Sequence, residues 1–498
     1  MNTCPSCNSL SVIKKGKDFA KGIVKQRYKC KSCEVNFYIE DLPNQEIPAE
    51  VSHTGKWVIT TAINDTETNY EFLETLLKYC ERNSAKLLIV PIKYKNDNED
   101  YTWDSNLLQY FISENTLLVN NLQLLAGINV SPTVVNPLTS FETFSKGKSL
   151  IIPHPQIMMK CIAVNHIEKS AILHTTGCVS VPNYTQTKSG ERANISHAFS
   201  AIVIEEDTEI DDFHIRVLNS DDFGGFHDIN RYYFGSTMGF SKTVPAIVIG
   251  DEHVVHMDEE VKCATFTNED SIISVLNPEY IVRHDVLDFY ASNHHHRHNF
   301  LLQYKKFNDN TNRVEDELCD TIDYLLRTTP IDSKSLIVSS NHNDHLTRWL
   351  QDCNPKSEPW NAKFYHGLMY LMLDDIDGGN SHIPFQLWYK ENYDIDRIEF
   401  IKESETFMIR GIEVALHGHS GTNGSRGSAT QFSKLGMKTI IGHSHTPQIV
   451  GDCFQVGHSC KDKMGYNQGP SSWNNAHCII HEDGSRQMIF IKKGKWKL

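Results

Sequence analysis

Thr439-Ile440-Ile441-Gly442-His443-Ser444-His445 is an apolar run that stops at a glycine and then presents two histidines. Four earlier apolar runs also end at histidines, acids or an amide, one of them through a glycine. Val248-Ile249-Gly250 leads into Asp251-Glu252-His253, and Tyr280-Ile281-Val282-Arg283-His284 into Asp285-Val286-Leu287-Asp288. Leu336-Ile337-Val338-Ser339-Ser340 leads into Asn341-His342, and Val414-Ala415-Leu416 into His417-Gly418-His419. Short apolar runs bounded by polar residues read as buried strands, so these side chains are predicted to gather at sheet edges. One histidine at a strand end is more often a packed or surface residue than a ligand. Five such ends in one order outweigh that reading and predict a site for two metal ions, which need a shared anionic ligand. Mixed imidazole and carboxylate groups suit manganese, iron or zinc better than calcium.

Bulk properties set the bounds. A chain of 498 residues predicts two or three domains. A formal net charge of -14 argues against a histone-like nucleic-acid coat, but not against a nuclease whose metals supply positive charge where phosphate sits. No apolar run is long enough to span a bilayer, and the start lacks the layout of a signal peptide. Of 13 cysteines, four are tightly paired near the start, which predicts a reducing cytoplasm and one zinc site rather than a disulfide framework.

Residues 1–40 read as a zinc ribbon, 41–55 as a linker, 56–243 as an α/β domain of open role, and 244–498 as the domain carrying the candidate ligands. Cys4-Pro5-Ser6-Cys7 and Cys30-Lys31-Ser32-Cys33 are two Cys-x-x-Cys knuckles, the arrangement that wraps one tetrahedral Zn2+. Between and inside them lie Lys14, Lys15, Lys17, Lys21, Lys25, Arg27, Lys29 and Lys31 against Asp18, with Phe19, Tyr28 and Phe37 interleaved. This unit resembles the zinc ribbons of DNA-handling proteins; nucleic-acid contact and a purely structural role both remain open for it. Trp57–Ile63 and Leu87–Ile92 read as buried strands flanking a helix with Phe72, Leu73, Leu76 and Leu77 on one face. Lys188-Ser189-Gly190-Glu191-Arg192 reads as a solvated turn in preference to a phosphate site. A long helix is predicted near Thr311 to Arg327, and turns at Asp483-Gly484 and Lys493-Gly494 join strands in the tail.

In their order along the chain, the five strand ends resemble the motifs of the calcineurin-like metallophosphoesterase superfamily: Asp-x-His, Gly-Asp-x-x-Asp, Gly-Asn-His-Asp/Glu, a lone His, and Gly-His-x-His. The resemblance covers residues 247 to about 447, and Gly442-His443-Ser444-His445 matches without change. It implies the α/β (α+β) class, with a metallophosphoesterase β-sandwich flanked by helices. It further implies that Asp251, His253 and His445 hold one ion, that Asn341, His417 and His443 hold a second, and that Asp285 bridges both. His342 would be the catalytic residue beside the substrate. The family places its lone ligand on the histidine before glycine, hence His417 rather than His419. Mn2+ is the expected ion, otherwise Mg2+, Fe or Zn2+. The implied reaction is direct attack by water activated between the ions, with no covalent intermediate. Three positions depart from the pattern. His284 and Ser340 stand where glycines precede Asp285 and Asn341, and Asn343 replaces the acid after His342, leaving Asp344 to orient that imidazole.

Two neighbouring loops have more than one reading. Asn293-His294-His295-His296-Arg297-His298 lines a phosphate path, holds a further metal, or is a polar loop; His298 is the candidate substrate contact there. The glycine-rich stretch from His419 to Gly427 brings backbone amides and Arg426 to the substrate, or is a flexible turn. The superfamily includes protein phosphatases, nucleotidases, cyclic-nucleotide phosphodiesterases and SbcD-like nucleases, so fold alone does not name the substrate. The basic ribbon points to the SbcD-like branch, a DNase, with DNA as partner and a homo-oligomer as the expected assembly. The tail around Tyr466–Trp473 and the Arg426 loop resemble phage-encoded members, and the long segment ahead of the motifs is similar to that of the pre-early DNases of T5-like phages. That likeness implies action in a host cytoplasm. Two alternatives stand beside it: a nucleotide or small-molecule phosphoesterase, and a DNA-binding or scaffolding protein with a decayed metal site.

Overall fold

Four of the five apolar runs that precede the candidate ligands enter strands of two sheets, while the strand ahead of His417 is Ile412–Glu413 rather than Val414–Leu416, in a computed structural model, which describes residues 4, 6–7, 9, 11–20, 23–38, 55–94, 102–165, 170–393, 395–464 and 467–497. The chain divides into two compact units, Met1–Ser52 and His53–Leu498. Its class is mixed α+β.

Within the larger unit, Ala246–Val248, Tyr280–Arg283, Lys334–Val338 and Ile398–Ile401 pair side by side, all parallel. Parallel neighbours need long crossovers, and helices supply them, including Ile272–Leu276, Val314–Thr328 and Pro384–Asn392. The helix Val314–Thr328 is the one expected near Thr311 to Arg327. Its Val314, Leu318, Ile322 and Leu325 are fully buried, packed with Phe289, Trp349 and Phe385. Ala476–Ile480 and Arg486–Phe490 close the other side of the sheet as an antiparallel hairpin turning at Asp483-Gly484, as read from the sequence. Asp251, Asp285 and Asn341 therefore follow the carboxyl ends of neighbouring parallel strands, where open α/β sheets bind their ligands.

The second sheet has ten strands. Ile412–Glu413, Lys438–Ile441 and Cys453–Gln455 run parallel and place His417 and His443 just past their ends. Gln448–Val450 then pairs antiparallel with Met158–Ile162, and the sheet continues through Ala171–Thr175, Ser149–Ile152, Leu122–Leu124 and Thr116–Val119. The boundary expected at residue 243 thus falls inside one compact unit, and strands from both sides of it share a sheet. The reason is backbone pairing: an edge strand presents unpaired amide and carbonyl groups, and Met158–Ile162 satisfies those of Gln448–Val450. Lys56–Ile63 and Lys86–Ile92 form the expected parallel pair around the helix Tyr70–Arg82, joined by Ser200–Asp207 and Asp212–Asn219. Lys188–Ser196 is a helix, not the expected turn, because Thr187 caps it by accepting the Gly190 amide. Among the described residues, no helix is long and apolar enough to cross a membrane.

The smaller unit is a three-stranded antiparallel sheet of Val12–Ala20, Ile23–Cys30 and Asn36–Tyr38. The side chains of Lys14, Lys15, Lys17, Phe19, Lys21, Lys25, Arg27 and Phe37, the linker residues 41–54 and Tyr466 lie outside the described residues.

One buried ion pair fixes the strand ends that carry the candidate ligands. Arg283, fully buried, donates to Glu252 at 2.8 Å, to Ser335 at 2.9 Å and to Thr328. Glu252, lying between Asp251 and His253, also accepts from the Tyr324 hydroxyl at 2.6 Å. Burial raises the Glu252 carboxyl even with the guanidinium beside it. A pair of this kind is weak evidence for net stability, yet removing one partner is costly. Arg283→Met should therefore destabilise the larger unit by roughly 3–5 kcal/mol, read as a lower urea midpoint by circular dichroism. Adding Glu252→Met should restore much of the loss. An unchanged midpoint in the single variant would show that the pair holds nothing in place.

Candidate metal centre

Asp251, His253, Asp285 and His445 are all buried, and one ligand atom from each lies within 4.8 Å of the others. The His445 Nε2 is 3.2 Å from Asp251 Oδ2 and 3.0 Å from His253 Nε2, which is 3.7 Å from Asp285 Oδ2. Asp285 Oδ2 also faces His417 Nε2 at 3.2 Å. The same His417 atom is 3.2 Å from Asn341 Oδ1, which lies 3.1 Å from His443 Nδ1. The seven residues expected to hold metal are thus brought together as two clusters sharing Asp285.

Both Asp251 oxygens and Asp285 Oδ1 are buried without a hydrogen-bond partner. Unpaired buried carboxylates are expensive unless a cation compensates them, so this donor set fits divalent ions. Burial pushes the Asp251 carboxyl up to about 8, and the Asp285 charge adds to the rise while His417 opposes it. Burial would raise Asp285 too, but His417 and His342 hold it well below the usual carboxylate range.

The backbone bends sharply here. His253 (φ 43°), Asp285 (φ 46°), His443 (φ 75°) and His445 (φ 59°) all adopt the left-handed conformation, which costs a non-glycine residue of order 1–3 kcal/mol and clusters at functional sites. The loops beyond the strands keep pairing through it: the Glu252 amide donates to His284 O at 3.0 Å and the His253 amide to Asp285 O at 2.8 Å. A Cβ at Gly442 would collide with Asp251 Oδ1 and crowd the His284 ring. Gly442 thus lets the backbone approach Asp251 closely, and His284 fills the adjoining space, its Nδ1 3.3 Å from His417 Nδ1.

His342 stands beside both clusters. Its side chain is 19% exposed, its ring is 4.6 Å from that of His253, and its Nδ1 lies 3.1 Å from Asp288 O and 3.4 Å from Asp288 Oδ1. Burial opposes its charge, but Asp285 and Asp288 prevail and lift the imidazole to about 10. Asp288 also pairs with His253 Nδ1 at 2.9 Å. The orienting acid is thus Asp288, not Asp344. Asp344 opens the helix Asp344–Asp352 and groups with Glu403 and His419 instead. Asp288 sits three residues after Asp285, a spacing that signals its role once the loop is seen to bend back. Also unforeseen is Trp473, whose ring is 4.2 Å from that of His445.

His419 faces Glu403 at 3.6 Å rather than Asp285. Arg426 is exposed, on a loop closed by a Ser420–Arg426 bridge, and its charge helps hold the His443 imidazole down, after burial and His417. His298 is exposed and shares no hydrogen bond, ion pair or ring contact with the clusters. In the smaller unit, Cys4 Sγ is 3.5 Å from Cys33 Sγ and Cys7 Sγ 3.5 Å from Cys30 Sγ, all four as free thiols. Tetrahedral zinc with Zn–S bonds of about 2.3 Å places its sulfurs roughly 3.8 Å apart, so the four cysteines fit such an ion.

Fold and site together define an α+β protein with candidate metal clusters, one of thiolates and others of imidazoles and carboxylates. The chain belongs to the family of Protein A1 of Escherichia phage T5, to which it is 32% identical over 469 residues, 90% of this chain and 84% of that protein. The expected likeness to phage proteins is borne out by this relative. No family model matches the chain, and no solved structure matches it.

Asp288→Ala should weaken divalent-ion affinity about 10–100-fold, as loss of a residue that orients a ligand does elsewhere. Isothermal titration with Mn2+ measures this, and equal affinity would mean that Asp288 does not position His253. Asp285→Ala should abolish retention of metal by both clusters, measured by elemental analysis after desalting.

Proposed function

We propose that the larger unit is a calcineurin-like metallophosphoesterase of the SbcD-like nuclease branch, with a β-sandwich core, and that the chain is a DNase. The observation that carries this reading is Asp285, facing both clusters with His342 alongside. Asp251, His253 and His445 would hold one ion and Asn341, His417 and His443 the other, with Asp285 common to both. When bound, the ions supply an activated water and positive charge for the phosphate oxygens.

The rest falls to the chain's own side chains. Asp288 holds His342 through Nδ1, which leaves Nε2 to face the substrate. A protonated His342 carries its proton at Nε2 to the leaving oxygen or stabilises the charge gathering on phosphorus. Trp473 and His458 flank His445 and help exclude water from that side. The ribbon, basic in sequence on an acidic chain, supports DNA as the substrate by gripping backbone phosphate.

Purified full-length protein with Mn2+ should degrade linear and plasmid DNA. His342→Asn should slow this about 10²–10⁴-fold, the usual worth of a general acid, with metal content unchanged. Hydrolysis of bis-p-nitrophenyl phosphate without action on any DNA would replace the nuclease by a small-molecule phosphoesterase. Full metal occupancy with neither activity would leave a scaffold. Removing residues 1–40 should weaken DNA binding and spare turnover of the small ester.

A further inference from the structure

The histidine-rich turn divides into residues with different surroundings. His296 belongs to the structure of its own loop: its Nδ1 is 2.8 Å from Lys306 Nζ and its ring packs on Tyr290. His298 is exposed. His294 and His295, by contrast, lie with their ring centroids 3.9 Å apart, tilted by 38°, and His294 meets His345 at 4.9 Å. One ring nitrogen from each of His294, His295 and His345 lies within 4.8 Å of the other two. His345 is only 6% exposed, and its Nδ1 is buried without a hydrogen-bond partner. An unpaired buried nitrogen beside two more imidazoles is a feature that a core histidine does not need.

The turn is held in shape before any ligand arrives. Glu317 accepts the Tyr290 and Ala291 amides at 2.7 Å each. Ser292 donates to Glu358 at 2.8 Å, and the Asn293 side chain accepts the His295 amide at 3.0 Å. Lys306, fully buried, donates to the Tyr290 carbonyl. His345 sits in the first turn of the helix Asp344–Asp352, so two separately anchored elements present the three imidazoles.

We propose that His294, His295 and His345 form a third divalent-cation site, of the zinc, nickel or cobalt class that imidazole favours, next to His342. The His342 and His345 rings are 4.9 Å apart, which puts this site on the flank of the catalytic histidine. Nitrogens around tetrahedral zinc lie roughly 3.4 Å apart, a closure within reach of the exposed His295 and half-buried His294. Three imidazoles leave a coordination position for an outside ligand. Arg297 and Arg348 lie near enough to His294 to influence its charge, with Asp352 opposing them. Their positive charge favours an anion as that ligand, so a phosphate oxygen of the substrate is the chemistry the flank suits.

The cation site stands on its own residues, whereas the phosphate ligand rests on the phosphodiesterase reading. The test is zinc content of the full-length chain after equilibrium dialysis against Zn2+, read by elemental analysis. His294→Gln with His295→Gln, both away from the core, should bind about one equivalent fewer than wild type. His345→Gln should lose the same equivalent, with circular dichroism to confirm that it folds. Asp285→Ala should lose metal from the two clusters that share Asp285 while the loss caused by the His294/His295 change persists in that background. Identical zinc content in wild type and the His294/His295 variant would overturn the proposal and make these histidines a polar turn.

Discussion

Two buried aspartates, with both Asp251 oxygens and Asp285 Oδ1 short of hydrogen-bond donors, are the constraint around which the larger unit is arranged. A carboxylate withdrawn from water without a partner costs several kcal/mol, and here Asp251 and Asp285 lie close enough to raise each other's cost. Imidazoles from two different sheets converge on them, and a divalent cation is the charge that balances such a set. The cost is compounded by four left-handed non-glycine residues, each of order 1–3 kcal/mol, in a protein whose class of fold has only about 5–15 kcal/mol to spare. Such an arrangement persists only when its surroundings leave the loops no alternative.

The surroundings do so through backbone pairing and one ion pair. Parallel strands hand their ladder on to the loops, so that Asp251, Glu252, His253 and Val254 donate in turn to Gly457, His284, Asp285 and Val286. Behind that ladder Arg283 and Glu252 lock two adjacent ligand loops to the helix Val314–Thr328 through Tyr324 and Thr328. The Glu252 carboxyl remains raised by burial, so the pair's main consequence is positional: it sets where Asp251 and Asp285 point.

The strand ends were legible because they obey local rules. Apolar runs that stop at an acid, an amide or a histidine read directly from the chain. The helix with Val314, Leu318, Ile322 and Leu325 on one face, and the Asp483-Gly484 hairpin, are equally local. What escaped the sequence is what depends on distant partners. Asp288 was legible as the second acid of the Asp-x-x-Asp stretch but not its role, which appears only where the loop after Asp285 turns back to bring it beside His342 and His253. Asp344 was the nearer acid in sequence, but a helix begins at that residue and sets it beside His419 and Glu403. A stretch that reads as a turn at Ser189-Gly190 is a helix, because Lys188, Glu191, Arg192 and Ala193 favour one and the Thr187 side chain caps its start.

The middle segment illustrates the same limit on a larger scale, and it bears on the site. Strand periodicity identifies Met158–Ile162 as a strand but says nothing about its neighbour. That neighbour is Gln448–Val450, three residues past His445, with Ile449 and Met159 each 1% exposed at the join. Without it, the sheet that positions His417 and His443 would end in an open edge a few residues from the ligands. A second contact runs the same way: Ser170 bonds to the Asn474 side chain, and the Asn474 amide donates to the His445 carbonyl at 3.3 Å. The strands Thr116–Val119, Leu122–Leu124, Ser149–Ile152, Met158–Ile162 and Ala171–Thr175 are therefore physically part of the sheet that carries His417 and His443. They support the sheet from which His417 reaches Asp285 and His443 reaches Asn341, which is a structural reason for this segment to share one chain with the half that carries the candidate ligands.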